Sequence, residues 1–206
     1  MHDIDNLIKK TRLASEFCPR VGLRSIQHNR KSSNDTHHFR AQVDLDDVTI
    51  MRVENEGRGG DNYYHMRRAT TPEQIQTLTE LARSFCEEAK PKTYSEIVRK
   101  QTLDTATYGE TTDQQKFWDD FPFVDVLLGS LLNEQLTLID MRKALNQRIH
   151  IIDMDKSLLY DIDKRPTEIH LANSSKALKG IGKHFNYILL NELDEPSQLK
   201  LWLTIN

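Results

Sequence analysis

From His38 to Leu45 the chain alternates strictly between apolar and polar positions. Phe39, Ala41, Val43 and Leu45 form one series, with Arg40, Gln42 and Asp44 between them. Successive side chains of a strand point to opposite faces, so this period of two predicts a half-buried strand. Leu45-Asp46-Asp47 predicts a tight turn, and Val48 to Glu54 the returning strand. Upstream, Val21, Leu23 and Ile26 mark a strand over 21–28, and the polar run 29–35 a loop. Residues 21–54 therefore predict a three-stranded antiparallel meander. Asn62, Tyr63 and Tyr64 offer the start of a further short strand.

Elsewhere the period lengthens. Residues 3–14 predict a short helix through Ile4, Leu7 and Ile8. Thr71, Pro72 and Glu73 combine a capping hydroxyl, a proline suited to the first turn and an acid at the positive end of the helix dipole. They predict a helix to about Glu88 with Ile75, Leu78, Leu81, Ala82 and Phe85 near one face. Residues 95–103 hold a candidate helical piece. Residues 115–147 predict one long helix, or two broken near Pro122. Ile149 to Ile152 and Leu158 to Ile162 flank the polar MDKS and predict a β-hairpin, with Pro166 beyond it. Residues 172–186 and 187–204 predict helices. The expected fold is α+β: an antiparallel β-meander with packed helices, followed by a helical segment with a β-hairpin. Pro91 and the polar stretch 90–114 suggest two halves, 1–90 and 91–206, or one continuous domain.

Composition narrows the classes of function. A net charge of −3 over 206 residues gives no global attraction to nucleic acid or anionic lipid. No apolar run reaches the roughly 18 to 20 residues of a membrane span, so no membrane partner is expected. The start of the chain is charged and lacks the apolar stretch of a signal peptide. The two cysteines, Cys18 and Cys86, form no CxxC pair, which argues against a zinc or redox motif and fits a reducing cytoplasm.

The candidate chemistry begins at VENEGRGGDNYYH, residues 53–65. Asn55, Gly57, Arg58, Gly59, Gly60, Asn62 and Tyr64 could build a binding turn. Successive backbone N–H groups in a glycine-rich loop can cradle an anion, and Arg58, Arg67 and Arg68 could add charge. The segment is neither a Walker A loop nor GxGxxG in a βαβ unit. The simpler reading is a turn whose glycines allow Tyr63 or Tyr64 to pack closely. On the hairpin, Asp153, Asp155, Asp161 and Asp163 could crowd one face and hold Mg²⁺ or Ca²⁺, but the spacing is not that of an EF-hand. An ordinary solvated strand face, neutralised by Lys156, Lys164 and Arg165, is the simpler reading. Of eight histidines, His28, His38 and His65 could meet if the meander brings them together. No cofactor is implied and no catalytic constellation is complete. In 117–123, Phe117, Trp118, Phe121 and Phe123 lie beside two acids; they suit either an interface or a core. Exposed aromatics there would favour a homo-oligomer. Residues 1–40 carry a local charge of +4, eight bases against four acids, and 109–140 a local −6, seven acids against one base.

Two segments in combination, HHFRAQVDLDDVTIMRVENEGRGGDNYYH and MRKALNQRIHIIDMDKSLLYDI, resemble a family of small accessory proteins of bacteriophages and prophages. These carry an Asn-x-Gly-x-Gly-Gly-x-Asn-x-Tyr turn after a short meander. The resemblance would cover much of 21–193, and its specific part is the turn. It implies a phage or prophage accessory gene and brings no catalytic residues. Together with the incomplete catalytic constellations and the charge-split surface, it predicts a non-enzymatic binding protein in the host cytoplasm that acts on a host or anti-phage defence protein, as an inhibitor. A nucleic-acid-binding protein using Arg24, Arg30, Lys31 and Arg58 is the alternative, and a divalent-metal-dependent enzyme on the hairpin aspartates the second.

Overall fold

The computed structural model describes residues 8–33, 36–59, 62–90, 121–153, 155–156, 158–181 and 187–205. The fold is α+β, with two antiparallel sheets and helices. Contacts group the chain into two compact units, Ala14–Leu132 and Asn133–Asn206 together with Met1–Leu13. The division falls at 132/133, inside a helix, whereas composition drew it in the polar segment after residue 90. The expected helical piece at 95–103 lies outside the described residues.

In the first unit a short helix α1 (Ala14–Phe17) precedes a four-stranded meander in sequential order. Its strands are β1 (Val21–His28), β2 (His38–Leu45), β3 (Val48–Glu56) and β4 (Tyr63–Met66). The alternation of β2 is realised: Phe39, Ala41, Val43 and Leu45 are buried and Arg40 is exposed. Met51, Val53 and Asn55 continue the inner face on β3. A bulge after Val43 admits Ile50 to the core as well, because one extra residue on β3 shifts the register there. Helix α2 (Pro72–Ala89) begins on a reciprocal capping box. Thr71 Oγ1 accepts from the Gln74 amide and Gln74 Oε1 accepts from the Thr71 amide. It ends at Lys90 in the left-handed conformation. Its buried face is Ile75, Leu78, Thr79, Ala82, Phe85 and Cys86; Leu81 is only half-buried.

Helix α3 (Phe121–Gln147) is continuous. Pro122 stands at the start of the described span, and residues 115–120 of the predicted helix, where a break near Pro122 would fall, lie outside the described residues. Phe121 and Phe123 are buried in the first unit: Phe121 packs edge-on to Tyr64 and Phe123 lies under the Arg83 guanidinium, 4.8 Å away. They are core residues, so of the two readings the core holds for them and the interface does not. Phe117 and Trp118 lie outside the described residues.

In the second unit the hairpin β5 (Ile149–Asp153) and β6 (Leu158–Ile162) gains a third strand, β7 (Tyr187–Leu189), and β5 is central. After β6 comes helix α4 (Glu168–Ile181), and after β7 helix α5 (Glu195–Ile205). Residues 187–204 are therefore not one helix. The apolar run 188–190 suits a strand or a helix alike, and the helix starts only where Asp194 Oδ1 accepts from the Ser197 amide at 2.8 Å. Met141, Leu145, Ile152, Leu190, Leu199 and Leu201 form the core of this unit. Asn191 pins its edge by donating to the carbonyls of Leu145 and Arg148 and accepting from the His150 amide. Among the described residues no helix is long and apolar enough to cross a membrane.

Candidate functional site

The glycine turn joins β3 to β4, and its polar residues hold one another. Asn55 stands on the inner face at the end of β3, opposite Phe39. Its Oδ1 accepts from the Gly57 amide and from Thr36 Oγ1, each at 2.8 Å, and its Nδ2 donates to Asn62 Oδ1 at 3.0 Å. Asn62 Nδ2 donates in turn to Asp125 Oδ1 on α3 at 2.7 Å, and the Tyr64 hydroxyl donates to the same carboxylate oxygen. The Gly59 amide donates to Thr36 Oγ1. Gly57 and Gly59 both have positive φ, +76° and +79°. Only glycine adopts such angles without strain.

This network corrects the anion-cradle expectation. The Gly57 and Gly59 amides point at the protein's own side-chain oxygens, so they are not turned outward as a nest. Asn55, Asn62 and Tyr64 are likewise taken up in shaping the turn. Gly60 lies outside the described residues. What the turn does present is Arg58, which is exposed and has no side-chain partner among the described residues.

Arg58 borders a cleft of about 600 Å³ on the outer face of the meander. The register builds that face. Gln27 stands opposite Arg40, Arg40 opposite Glu54, and Glu54 opposite Tyr63, so one row crosses all four strands. Glu54 is the electrostatic centre of the face. It accepts from Arg40 Nε and faces His65 Nε2, each at 2.9 Å, and Arg52 Nε lies 3.6 Å away. The His65 hydrogen bond, then the arginines, hold its carboxyl below the usual carboxylate range. Tyr63 is 59 % exposed at the edge strand. The cleft thus combines fixed charges of both signs with one unpaired guanidinium and one exposed phenol.

The three histidines that could have met do not. His38 Nδ1 lies 2.6 Å from Ser32 Oγ, His65 meets Glu54, and His28 Nε2 lies 3.2 Å from Nδ1 of His37. The hairpin carboxylates are also apart. Asp153 is buried, and its Oδ1 accepts from the amides of Asp155 and Lys156 to shape the hairpin turn. Asp155 is in that turn, not on the strand. Asp161 pairs with Arg148, and Asp163 lies 4.0 Å from the same guanidinium. The register sets Asp153 opposite Leu158 and Asp161 opposite His150, at opposite ends of the ladder. Among the described residues no three His, Cys, Asp or Glu side chains group as metal ligands. Both thiols are buried; burial raises Cys18 and pushes Cys86 to about 11, far from the thiolate a nucleophile needs.

His150 is the buried titratable group that sequence reading passed over. It is 6 % exposed, packs edge-on to Trp202, and among the described residues neither ring nitrogen makes a well-formed hydrogen bond, the Ala144 carbonyl being its nearest approach to one. Burial lowers its pKa; the Ala144 carbonyl and Asp161 oppose that shift and Arg148 adds to it. A base whose folded pKa lies below its unfolded value of about 6.5 stabilises the fold above that value and loses the contribution as pH falls through the window beneath it. His150→Leu should raise stability by about 1 kcal/mol at neutral pH, by removing two buried, poorly satisfied polar atoms. It should also flatten the loss of stability between neutrality and about pH 5. Urea unfolding at both pH values reads this out, and an unaltered acid slope would count against it.

No protein-family model matches the chain, and neither does any curated protein or solved structure.

Proposed function

We propose that this chain is a non-enzymatic binding protein that recognises a macromolecular partner through the outer face of its meander, at the glycine turn. One observation carries the reading. The turn is held in a single shape by internal hydrogen bonds from Asn55, Asn62 and Tyr64, while Arg58 and Tyr63 stand outside that network, exposed at the cleft. Rigid presentation lowers the ordering cost of association, and Arg and Tyr are among the residues that dominate interface energies. The resemblance of the turn to phage accessory proteins supports a host or defence protein as that partner. The nucleic-acid alternative is weaker on this surface: Arg24 is paired with Asp44, Arg40 with Glu54 and Arg20 with Asp46, which leaves fewer cations for phosphates.

An Arg58→Ala/Tyr63→Ala double variant should fold like the parent, since neither side chain is buried. It should lose at least tenfold in affinity for a protein captured from nuclease-treated host lysate, read by titration of the purified pair. Equal binding by parent and variant would remove this face from consideration. Recovery of nucleic acid alone, with steep salt dependence, would favour the alternative.

A further inference from the structure

The sheet of the second unit ends on β6, whose outer edge pairs with no strand among the described residues. Its neighbours fix the direction of its backbone groups. The His150 amide donates to Asn191 Oδ1 on the β7 side of β5, and the Arg148 amide is taken by the Ala144 carbonyl of α3. Backbone groups alternate sides along a strand, so Ile149, Ile151 and Asp153 turn theirs toward β6. Their partners Ile162, Tyr160 and Leu158 face back to β5. Leu159 and Asp161 therefore direct their N–H and C=O groups to the open edge, where the Asp161 amide meets its own carboxylate.

Native sheets protect their edges with bulges, prolines, lysines or very short strands. The eight-residue edge strand β1 of the other sheet has such a device: its register shifts between Arg24 and Gln27, around Ser25 at φ +53°, and Arg24 stands exposed beside Asp44. The opposite edge here, β7, is three residues long. β6 has none of these protections. Its ladder with β5 runs without a bulge over five residues, it holds no proline or lysine, and its single charge, Asp161, is neutralised by Arg148. Two of its apolar side chains are open to solvent, Leu158 at 47 % and Tyr160 at 39 %.

The residues of β6 say which strand completes it. Leu158, Tyr160 and Ile162 share one face, and Leu159, on the other, packs on the core of the unit. The pattern is symmetric about Tyr160. Two copies set antiparallel on a two-fold axis there place Leu158 opposite Ile162, Tyr160 opposite Tyr160 and Leu159 opposite Asp161. Leu159 and Asp161 are the residues whose backbone groups face outward, so each pair exchanges both its hydrogen bonds. An axis at Asp161 would set the two carboxylates against each other, and one at Leu159 would set Ile162 against Lys156. We propose that β6 is a dimer edge, at which two copies of this chain pair through Leu158–Ile162, centred on Tyr160, and join their three-stranded sheets into one. The contact is the same patch on both copies and closes on itself. One short strand from each copy buries less than a standard interface, so the dimer is transient and depends on concentration. The proposal does not rest on the binding function above: β6 lies in the second unit and the cleft in the first.

Sedimentation velocity of the full chain, from low micromolar to millimolar concentration, should show a reversible monomer–dimer equilibrium. Tyr160→Lys changes an exposed side chain and sets two like charges opposite each other across the axis; it should raise the dissociation constant at least tenfold. Ile169→Lys, at an exposed apolar side chain of α4, should leave that constant unchanged. Because the Tyr160 variant could disturb the hairpin, amide exchange of the unmutated protein by NMR gives a second reading. The Leu159 and Asp161 amides should exchange more slowly as concentration rises, while those of Tyr160 and Ile162, already turned to β5, should not change. A parent that stays monomeric throughout would overturn the proposal. So would a dimer that Tyr160→Lys leaves intact and that does not slow the Leu159 and Asp161 amides, since its contact would lie elsewhere.

Discussion

Gly57→Ala should destabilise the first unit by about 3 kcal/mol or more, the sum of left-handed backbone strain and overpacking. A Cβ at Gly57 would stand 2.5 Å from the Ser32 carbonyl oxygen, 2.8 Å from the His38 Cβ and 3.0 Å from the His38 nitrogen, in a backbone with φ +76°. Two of those three atoms are backbone, so no side-chain rotation relieves the contact. The loop that would have to move is the one that joins β1 to β2. Gly22→Ala is the control. It lies in a strand of the same sheet, has nothing within 4 Å of its added Cβ, and should be neutral or slightly stabilising. Chemical unfolding of both variants separates steric need from the general entropy of glycine. Equal midpoints would mean that the turn relaxes more easily than its contacts indicate.

Asp125→Ala should cost about 2–4 kcal/mol, since hydrogen bonds to a charged acceptor contribute more than neutral ones and the change removes the shared acceptor of two donors. Its Oδ1 is the common acceptor for Asn62 Nδ2 and the Tyr64 hydroxyl, so one carboxylate ties the turn and β4 to α3. Tyr64→Phe removes one of the two donors and should cost about 1 kcal/mol. In combination with Asp125→Ala it should cost less than it does alone, because the hydroxyl has then already lost the Asp125 carboxylate. A double-mutant cycle reads the coupling. Additive effects would mean that the hydroxyl and the carboxylate act independently. The same cycle bears on function: if the network shapes the surface around Arg58, Asp125→Ala should weaken partner binding although Asp125 lies on the helix side of the turn.

The local chemistry of the chain determined much of this protein. Alternation in Phe39–Leu45 set a strand with its buried face, Thr71-Pro72-Glu73 set a helix start, and the apolar runs around MDKS set a hairpin. Each signal is carried by neighbouring residues and by backbone preferences that act within a turn or a strand. The glycines of the turn were legible for the same reason, since positive φ is a property of the residue itself.

The tertiary structure decided the rest. Asn55, Asn62 and Tyr64 were visible as a pattern, but Asp125, which accepts from Asn62 and Tyr64, lies more than sixty residues further along, and no local signal couples them. Phe121 and Phe123 suited a core or an interface until packing against Tyr64 and Arg83 chose the core. Residues 187–189 suit a strand or a helix alike and became a strand because β5 offered an open edge for them to pair with. The hairpin aspartates share a parity that would align them, yet register and turn set them apart. Side-chain period and backbone preference are properties of short segments; which distant group satisfies a buried donor, and which face finds a partner, exist only once the chain has packed.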